Sequence, residues 1–318
     1  MLATMLLALT QQAAAQTPPK QTPQDLVDAL RTAFGAHHAR AVHTKGVMLE
    51  GAFTPDAAAR ALTKAPIFAG GSLPVIARFS LFAGIPDIPD TDAGAPPTGL
   101  ALKIKAKDGS DYDLASDQHN GFIVATSDEF AEFLRDVGAS GPNAPHPTAV
   151  EQFLATHPIA KTFLASLTVP ASYATATYFG INSFKWTNAK GHPTYVRYQY
   201  LPRAGEHYLK PAEWKARRPS YLQDDIVARV AREPVAFDWY AQIAEKGDKI
   251  EDPSIAWPDS RRRVKLGTFT FTRLPRDAAA ADRQYMVLPG QPHAGIEAAD
   301  PMLLLRNKAY PISFRGRQ

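Results

Sequence analysis

Two residues near the end of the chain, Arg306 and Tyr310, have the types and the spacing needed for metal chemistry. They follow the apolar run at residues 302–305 and lie four residues apart. Residues i and i+4 of a helix share a face, so the Arg306 guanidinium is predicted to reach the Tyr310 phenol oxygen. A permanent cation favours the phenolate, and tyrosine is one of the few side chains that hold haem iron. The alternative is an ordinary C-terminal helix whose tyrosine packs on the core and whose arginine faces water.

Composition excludes several other kinds of chemistry. The 318-residue chain has no cysteine, which rules out disulfides, zinc–thiolate and iron–sulfur sites and thiol catalysis. The net charge is +4 and the basic residues are scattered, which argues against a nucleic-acid partner. No stretch after the N-terminus is long and apolar enough to predict a membrane-spanning helix. Hydrophobic residues make up 45% of the chain, which predicts a globular protein with a substantial core.

The elements that must position such residues are mostly strands. Stretches rich in β-branched and aromatic residues predict about eight strands. One follows a loop within residues 36–54, and the others lie at residues 75–82, 99–106, 112–124, 184–186, 195–200, 237–243 and 264–271. The dipeptide Asp108-Gly109 is a hairpin signal, and residues 188–191 predict another turn. Together these features predict an α+β fold, in which an antiparallel β-barrel or strongly curved sheet carries inserted and flanking helices.

Helix signals fall between the strands and near both ends. Thr22 is a predicted N-cap, Pro23 suits the first turn, and Gly35 ends the helix. Further helices are predicted at residues 54–66, 127–134 and 147–167. No linker divides the chain, so one domain is expected after the N-terminal segment.

The N-terminal segment, residues 1–15, has the pattern of a signal peptide. An apolar stretch at residues 1–9 is followed by Ala13-x-Ala15, which matches a signal-peptidase site. The segment lacks a positively charged start, and the alternative is a frayed N-terminus of a cytoplasmic protein. We expect residues 1–15 to be removed on export and the protein to be periplasmic or secreted.

Five motifs, taken together and in order, resemble those of the haem catalases, and specifically of the short catalase-related peroxidases. The first is RAVHTKG at 40–46, and the second is ARFS at 77–80 with AG at 83–84. The third is GLALK at 99–103, with DG at 108–109 and DL at 113–114, and the fourth is YFG at 178–180, with FK at 184–185 and NAKG at 188–191. The fifth is GIEA at 295–298, with ML at 302–303, Arg306 and Tyr310. The resemblance covers nearly all of the chain after the N-terminal segment. It implies that residues 16–318 form a single catalase-like haem-binding domain.

The resemblance implies a distal group of residues that acts on peroxide. His43 matches the distal base, and an imidazole with a pKa of about 6.5 suits both taking and returning a proton. Ser80 matches the serine that hydrogen-bonds this imidazole; its alternative is a strand serine facing a polar pocket. The chain departs from the large catalases at the distal asparagine, because a gapless alignment puts Asp117 there and a one-residue slip puts Gln118 there. This departure puts the oxidation of a second peroxide, the catalase half-reaction, in doubt.

The resemblance also implies a set of residues that bind haem b (iron protoporphyrin IX). Tyr310 would ligate the iron, with Arg306 beside it. Phe130 matches an aromatic that stacks on the haem, although an ordinary helix-core phenylalanine is the alternative. The family positions that hold the haem carboxylates are matched by Arg40, Arg78 and Arg317.

The function implied is a haem peroxidase that reduces hydrogen peroxide or organic hydroperoxides with small organic electron donors, with weak catalase activity. The chain stops soon after Tyr310, without the longer segments that bury the haem in large catalases, and a more open pocket would admit such donors. A monomer or a small homo-oligomer is expected. Two alternatives remain open: an enzyme of the same fold that rearranges hydroperoxides or oxidises fatty acids, and a non-catalytic haem carrier.

Overall fold

The computed structural model describes residues 19–318, so the predicted signal peptide at residues 1–15 lies outside the described residues. The helices are α1 (Pro23–Phe34), α2 (Ser127–Ala139), α3 (Ala149–Thr156), α4 (Pro158–Ala165), α5 (Pro211–Lys215), α6 (Tyr221–Val230), α7 (Ala278–Gln284) and α8 (Pro301–Arg315). The strands are β1 (Gly46–Pro55), β2 (Leu73–Leu81), β3 (Thr98–Lys105), β4 (Asp111–Asp117), β5 (Val169–Pro170), β6 (Tyr178–Thr187), β7 (Pro193–Pro202), β8 (Tyr208–Leu209), β9 (Val235–Ile243), β10 (Arg263–Arg273) and β11 (Ile296–Ala298). Within the described range, no helix has the length and apolar composition of a membrane span.

Eight of the strands close into an antiparallel barrel. Their order is β6-β4-β3-β2-β1-β10-β9-β7, and β7 pairs back onto β6 to close the ring. The short strand β11 adds to β6 from outside, and β5 pairs separately with β8. The predicted α+β fold, with an antiparallel barrel of about eight strands, is therefore confirmed.

The barrel interior is an aromatic core. Side chains alternate between the two faces of a strand, so Phe79 of β2 points inward and packs against Tyr173, Tyr178 and Phe237. Its neighbours Arg78 and Ser80 face the outside of the barrel, where they line a cavity. Burying a phenylalanine such as Phe79 contributes about 1.5–3 kcal/mol. The core thus holds the outer face of β2 in a fixed position.

A second hydrophobic core lies between the barrel and a layer of helices. In α1, the Thr22 hydroxyl accepts from the Asp25 backbone N–H and the Asp25 carboxylate accepts from the Thr22 N–H, which is the predicted N-terminal cap. Gly35 ends α1 with a φ of 88°, a value that favours glycine. The helices α1, α2 and α8 contact one another through α1. The helix layer therefore combines a helix from each end of the described chain, α1 and α8, with α2 from its middle.

Three of the predicted elements differ in the structure. The strand predicted to continue at residues 120–124 is wrong: β4 ends at Asp117, and the chain turns through Gly121, whose φ is 146°. The helix predicted at residues 54–66 is replaced by two short 3-10 helices, Ala57–Ala61 and Pro66–Phe68. The long helix predicted at residues 147–167 breaks into α3 and α4 before Pro158, because proline lacks the N–H that would continue α3.

Candidate active site

A cavity of about 1150 Å³, including its opening, lies between the outer face of the barrel and the helix layer. Its walls are largely apolar, with Leu26, Val27 and Leu30 of α1 on one side and barrel residues on the other. The structure brings all of the predicted site residues to this cavity: Arg40, His43, Arg78, Ser80, Asp117, Phe130, Arg306, Tyr310 and Arg317. They come from residues 40–130 and from residues 306–317, and the barrel, α2 and α8 bring them together.

His43 is held in an unusual backbone conformation just before β1. Its φ is 57°, in the left-handed region that non-glycine residues rarely adopt. The backbone N–H donates to the Phe82 carbonyl at 2.8 Å, and Arg78 Nη1 donates to the His43 carbonyl at 2.7 Å. Two hydrogen bonds from the β2 segment therefore fix the conformation that turns this ring toward the cavity.

The imidazole ring of His43 is bounded by Ser80 and Gly99. The Ser80 hydroxyl lies 3.0 Å from Nδ1, and Phe82 packs edge-on against the ring. A Cβ on Gly99 would lie 2.8 Å from the ring Cε1, so only glycine fits there. Burial, followed by the nearby charges of Arg78 and Arg306, lowers the pKa of His43 to about 3. The imidazole is therefore neutral at physiological pH, the form that can accept a proton.

Asp117, at the end of β4, is the carboxylate that faces His43. Its Oδ1 lies 3.9 Å from His43 Nε2, beyond hydrogen-bond distance, and this buried oxygen has no hydrogen-bond partner in the described part of the chain. Burial raises the pKa of Asp117 to about 6, against the opposing charge of Arg306. The next residue, Gln118, points away: it accepts from Thr98 and donates to Thr168. Of the two residues considered for the distal asparagine position, Asp117 is the one in the cavity.

The Arg306–Tyr310 pair forms on α8 as predicted from its spacing. Arg306 Nη2 donates to the Tyr310 phenol oxygen at 2.8 Å. Burial acts against the charge of Arg306, but the neighbouring Tyr310 and Asp117 raise its pKa above its ordinary value. The guanidinium therefore stays charged beside the phenol oxygen of Tyr310.

Two further residues connect to this pair, and sequence reasoning missed both. Arg306 Nη1 donates to Asn182 Oδ1 at 2.7 Å, and Asn182 Nδ2 donates to Asp300 Oδ2 at 2.6 Å. Asp300 is fully buried and caps α8 by accepting from the Met302 N–H. The Asp300-Pro301 dipeptide is a helix-start signal and could have indicated the cap. Nothing in the local sequence shows that Asn182, on β6, lies next to α8.

The three arginines predicted to bind haem carboxylates form one group, called here the arginine cluster (Arg40, Arg78 and Arg317). Arg40 and Arg317 both donate to the Tyr285 carbonyl, at 2.9 and 2.6 Å. Arg78 uses Nη1 and Nη2 to hold the carbonyls of His43 and Thr44. Sequence reasoning did not foresee this contact, which joins the cluster to the distal histidine.

Phe130, on α2, lies at the cavity wall with 9% of its surface exposed. Its ring packs edge-on against Phe122, with centroids 4.8 Å apart. It therefore belongs both to the helix-layer core and to the cavity lining, so the two roles considered from sequence are compatible. Its stacking role stays a prediction.

Comparison with known proteins assigns the family. The family model described as "Catalase" matches residues 36–318. The chain belongs to the catalase family. A catalase-related peroxidase of Synechococcus elongatus is 33% identical over 302 residues, which cover 93% of this chain and 88% of the relative. A catalase-related peroxidase of Mycolicibacterium paratuberculosis is 34% identical over 303 residues, 93% of this chain and 95% of the relative.

Solved structures agree with this family at the level of the fold. A fungal catalase superposes with a TM-score of 0.78 at 21% identity, covering 88% of this chain and 59% of the fungal chain. A bacterial catalase gives a TM-score of 0.76 at 24% identity, covering 88% of this chain and 57% of its own. Family membership implies a haem cofactor and makes the chain a haem-dependent oxidoreductase.

The residues of the cavity fit a haem. Haem is a flat apolar ring that carries carboxylates, and the cavity offers apolar walls together with the arginine cluster. Arg317 Nε is buried and finds no hydrogen-bond partner within residues 19–318, so it has a donor left for a carboxylate. Tyr310 would ligate the iron, and Arg40 and Arg317 have the chemistry to bind the carboxylates.

Proposed function

We infer that this protein is a haem b peroxidase, which reduces hydrogen peroxide or organic hydroperoxides with small organic electron donors. One observation carries the proposal: a neutral, hydrogen-bonded imidazole (His43) shares one cavity with the Arg306–Tyr310 pair. A haem carrier needs an iron ligand but has no use for a proton shuttle. The combination therefore favours catalysis.

When bound, haem supplies the oxidation chemistry that cleaves the peroxide O–O bond. His43 takes the proton from one peroxide oxygen through Nε2, the ring nitrogen turned away from Ser80, and returns it to the other oxygen. Ser80 at Nδ1 holds the ring in the orientation that this transfer requires. Each turnover takes two electrons and two protons from the donors, so that one hydrogen peroxide becomes two waters.

Asp117 supports peroxidation over catalase activity. An asparagine at this position would offer an N–H donor to a second peroxide molecule, whereas a carboxylate only accepts hydrogen bonds. Above the Asp117 pKa of about 6, the residue is ionised and this donor is missing. Weak catalase activity is therefore part of the proposal.

The decisive experiment pairs His43→Ala and Tyr310→Phe with a matched control, His192→Ala, which alters an exposed histidine in the turn before β7. We expect His43→Ala to lower peroxidase turnover with hydrogen peroxide and a small phenol by at least about 100-fold while haem stays bound. Tyr310→Phe should change the visible absorption spectrum of the ferric protein.

The control variant should behave as the wild type in both measurements. Unchanged turnover in His43→Ala would contradict the proton shuttle, and an unchanged spectrum in Tyr310→Phe would contradict tyrosine ligation. A fatty-acid hydroperoxide assayed beside hydrogen peroxide, with product analysis, separates reduction from rearrangement.

Location and assembly are also proposals, and they rest on the sequence alone. The signal-like pattern at residues 1–15 supports export to the periplasm or the medium. Cell fractionation of the expressed protein tests the location. Size-exclusion chromatography with light scattering tests the expectation of a monomer or small homo-oligomer.

A further inference from the structure

One carboxylate, Asp282, lies behind the arginine cluster rather than in the cavity. It belongs to α7, and its side chain is absent from the cavity lining. Its Oδ1 lies 2.5 Å from Arg78 Nε and 3.0 Å from Arg40 Nη1, so one oxygen bridges two guanidinium groups. The Asp282 backbone carbonyl accepts a third bond, from Arg40 Nη2 at 2.7 Å. The motifs that indicated the site did not include this residue.

The arginine cluster needs a counter-charge when no ligand is bound. Burial, followed by the charge of Arg78, lowers the pKa of Arg40 to about 9, and burial lowers the pKa of Arg317 to about 10. These shifts show that the protein interior disfavours the charged guanidinium groups. Partial burial of Asp282 acts to raise its pKa, but Arg78 and Arg40 hold that pKa below its ordinary value. Asp282 is therefore ionised at neutral pH and attracts the cluster.

The net charge of the arginine cluster and Asp282 together equals, with opposite sign, the charge of a dicarboxylate. Three guanidinium groups and the Asp282 carboxylate leave two positive charges. A haem b molecule brings two carboxylates, which would neutralise them. Within residues 19–318, the buried cluster donor that still lacks a partner, Arg317 Nε, belongs to a residue that lines the cavity, whereas Asp282 does not line it.

We propose that Asp282 is an internal counter-ion that holds the side chains of the arginine cluster in place before haem binds. This positioning role rests on the proposed haem site. The stability of the haem-free chain then depends on Asp282 more than the stability of the haem-bound protein does. Once the haem carboxylates supply negative charge to the same arginines, removing Asp282 destabilises the protein less. A ligand that binds the same cavity without carboxylates does not reduce this loss of stability.

The test compares the full-length wild type with Asp282→Asn and with Asp277→Asn. Asp277 is a suitable control because it is an exposed residue that caps the same helix, and asparagine caps equally well. Thermal unfolding is measured for each protein without haem, with hemin, and with hemin dimethyl ester, whose carboxylates are blocked. We expect Asp282→Asn to lower the Tm of the haem-free chain by roughly 3 to 6 °C. Hemin should remove most of this difference, and the dimethyl ester should not.

Several results would overturn the proposal. These are an unchanged Tm in haem-free Asp282→Asn, an equal loss with and without hemin, or equal recovery with the dimethyl ester. If the haem-free variant does not fold, refolding yields with hemin and with the ester replace the Tm, and equal yields would contradict the proposal. Asp282→Glu, which keeps the charge, should retain most of the wild-type haem-free Tm. Failure of the wild type to bind hemin at all would instead refute the proposed function.

Discussion

His43 has a backbone conformation that histidine rarely adopts, and the structure shows what stabilises it. A left-handed non-glycine residue costs on the order of 1 to 3 kcal/mol at a functional site. Hydrogen bonds with Phe82 and Arg78 at the two ends of the residue offset that cost. Arg78 is only 3% exposed and its guanidinium holds two backbone carbonyls, so it forms a rigid support. Arg78 thus positions His43 as well as contributing to the arginine cluster.

The pH dependence of the activity should follow Asp117 rather than His43. His43, with a pKa of about 3, is neutral between pH 5 and pH 7.5, so its titration causes no change in activity near pH 6.5. Asp117, with a pKa of about 6, is a neutral acid below that pH and can then donate a hydrogen bond as an amide does. We expect the ratio of catalase to peroxidase turnover to rise roughly 30-fold between pH 7.5 and pH 5, in proportion to the neutral fraction of Asp117. Oxygen release and donor oxidation, measured across pH, give this ratio.

Substitution at the same position tests whether Asp117 causes that change. Asp117→Asn should show a high ratio that no longer depends on pH, because the amide donates at every pH. Asp108→Asn, which removes a carboxylate from an exposed turn, is the control and should keep the wild-type profile. If Asp117→Asn kept the wild-type dependence of the ratio on pH, a group other than Asp117 would be responsible for it.

At the scale of elements, α8 connects Tyr310 to the barrel. A chain of hydrogen bonds from Asp300 through Asn182 and Arg306 to Tyr310 joins the helix start to the tyrosine three turns away, and it crosses to β6 on the way. Because these links are buried or partly buried, the orientation of Tyr310 depends on the position of β6 as well as on α8. The barrel therefore helps to fix this side of the cavity.

The link through Asn182 gives a prediction about this element. Asn182→Ala leaves Arg306 Nη1 and Asp300 Oδ2 without this partner, at a cost of about 1–3 kcal/mol. We expect a lower Tm and a shifted visible spectrum of the ferric protein, because Arg306 no longer holds the phenol in one position. Asn143→Ala, at an exposed loop position, is the control. A lower Tm with an unchanged spectrum would show that Asn182 supports the fold without influencing Tyr310.

The sequence predicted secondary-structure elements well where the signal is local, and poorly where tertiary contacts determine the backbone conformation. The α1 cap and the spacing of Arg306 and Tyr310 depend on neighbours within four residues, and both were predicted correctly. The false strand at residues 120–124 has a strand-like composition, but Phe122 N–H bonds to Pro253 instead of a neighbouring strand. Asn182 and Asp282 act on residues about 124 and 204 positions away, and no local pattern records such contacts.

At the scale of the whole molecule, the site joins the two ends of the described chain. Arg40 and His43 precede β1, while Tyr310 and Arg317 follow β11, and both ends meet at Tyr285 and the helix layer. Phe314 and Arg317, close to the last residue, line the cavity. Residues after Tyr310 are therefore part of the site.

Removing residues 315–318 should loosen haem binding. The deletion takes away Arg317, which donates to the Tyr285 carbonyl and lies over the Phe314 ring at 4.7 Å. Loss of one charged partner for a carboxylate should weaken affinity by about tenfold or more. Arg315→Ala, which alters an exposed residue within the deleted segment, is the control. An unchanged ratio of haem to protein after the deletion would contradict a role for Arg317.

The separation of the two hydrophobic cores affects how a cofactor enters. The cavity lies between the barrel and the helix layer, so a hinged opening of α1 would expose it without breaking any hydrogen bond between the barrel strands or between α8 and β6. Local opening of this kind needs less free energy than global unfolding. The barrel can therefore complete folding as a rigid template, and the helix layer can close over the haem as a late step of maturation.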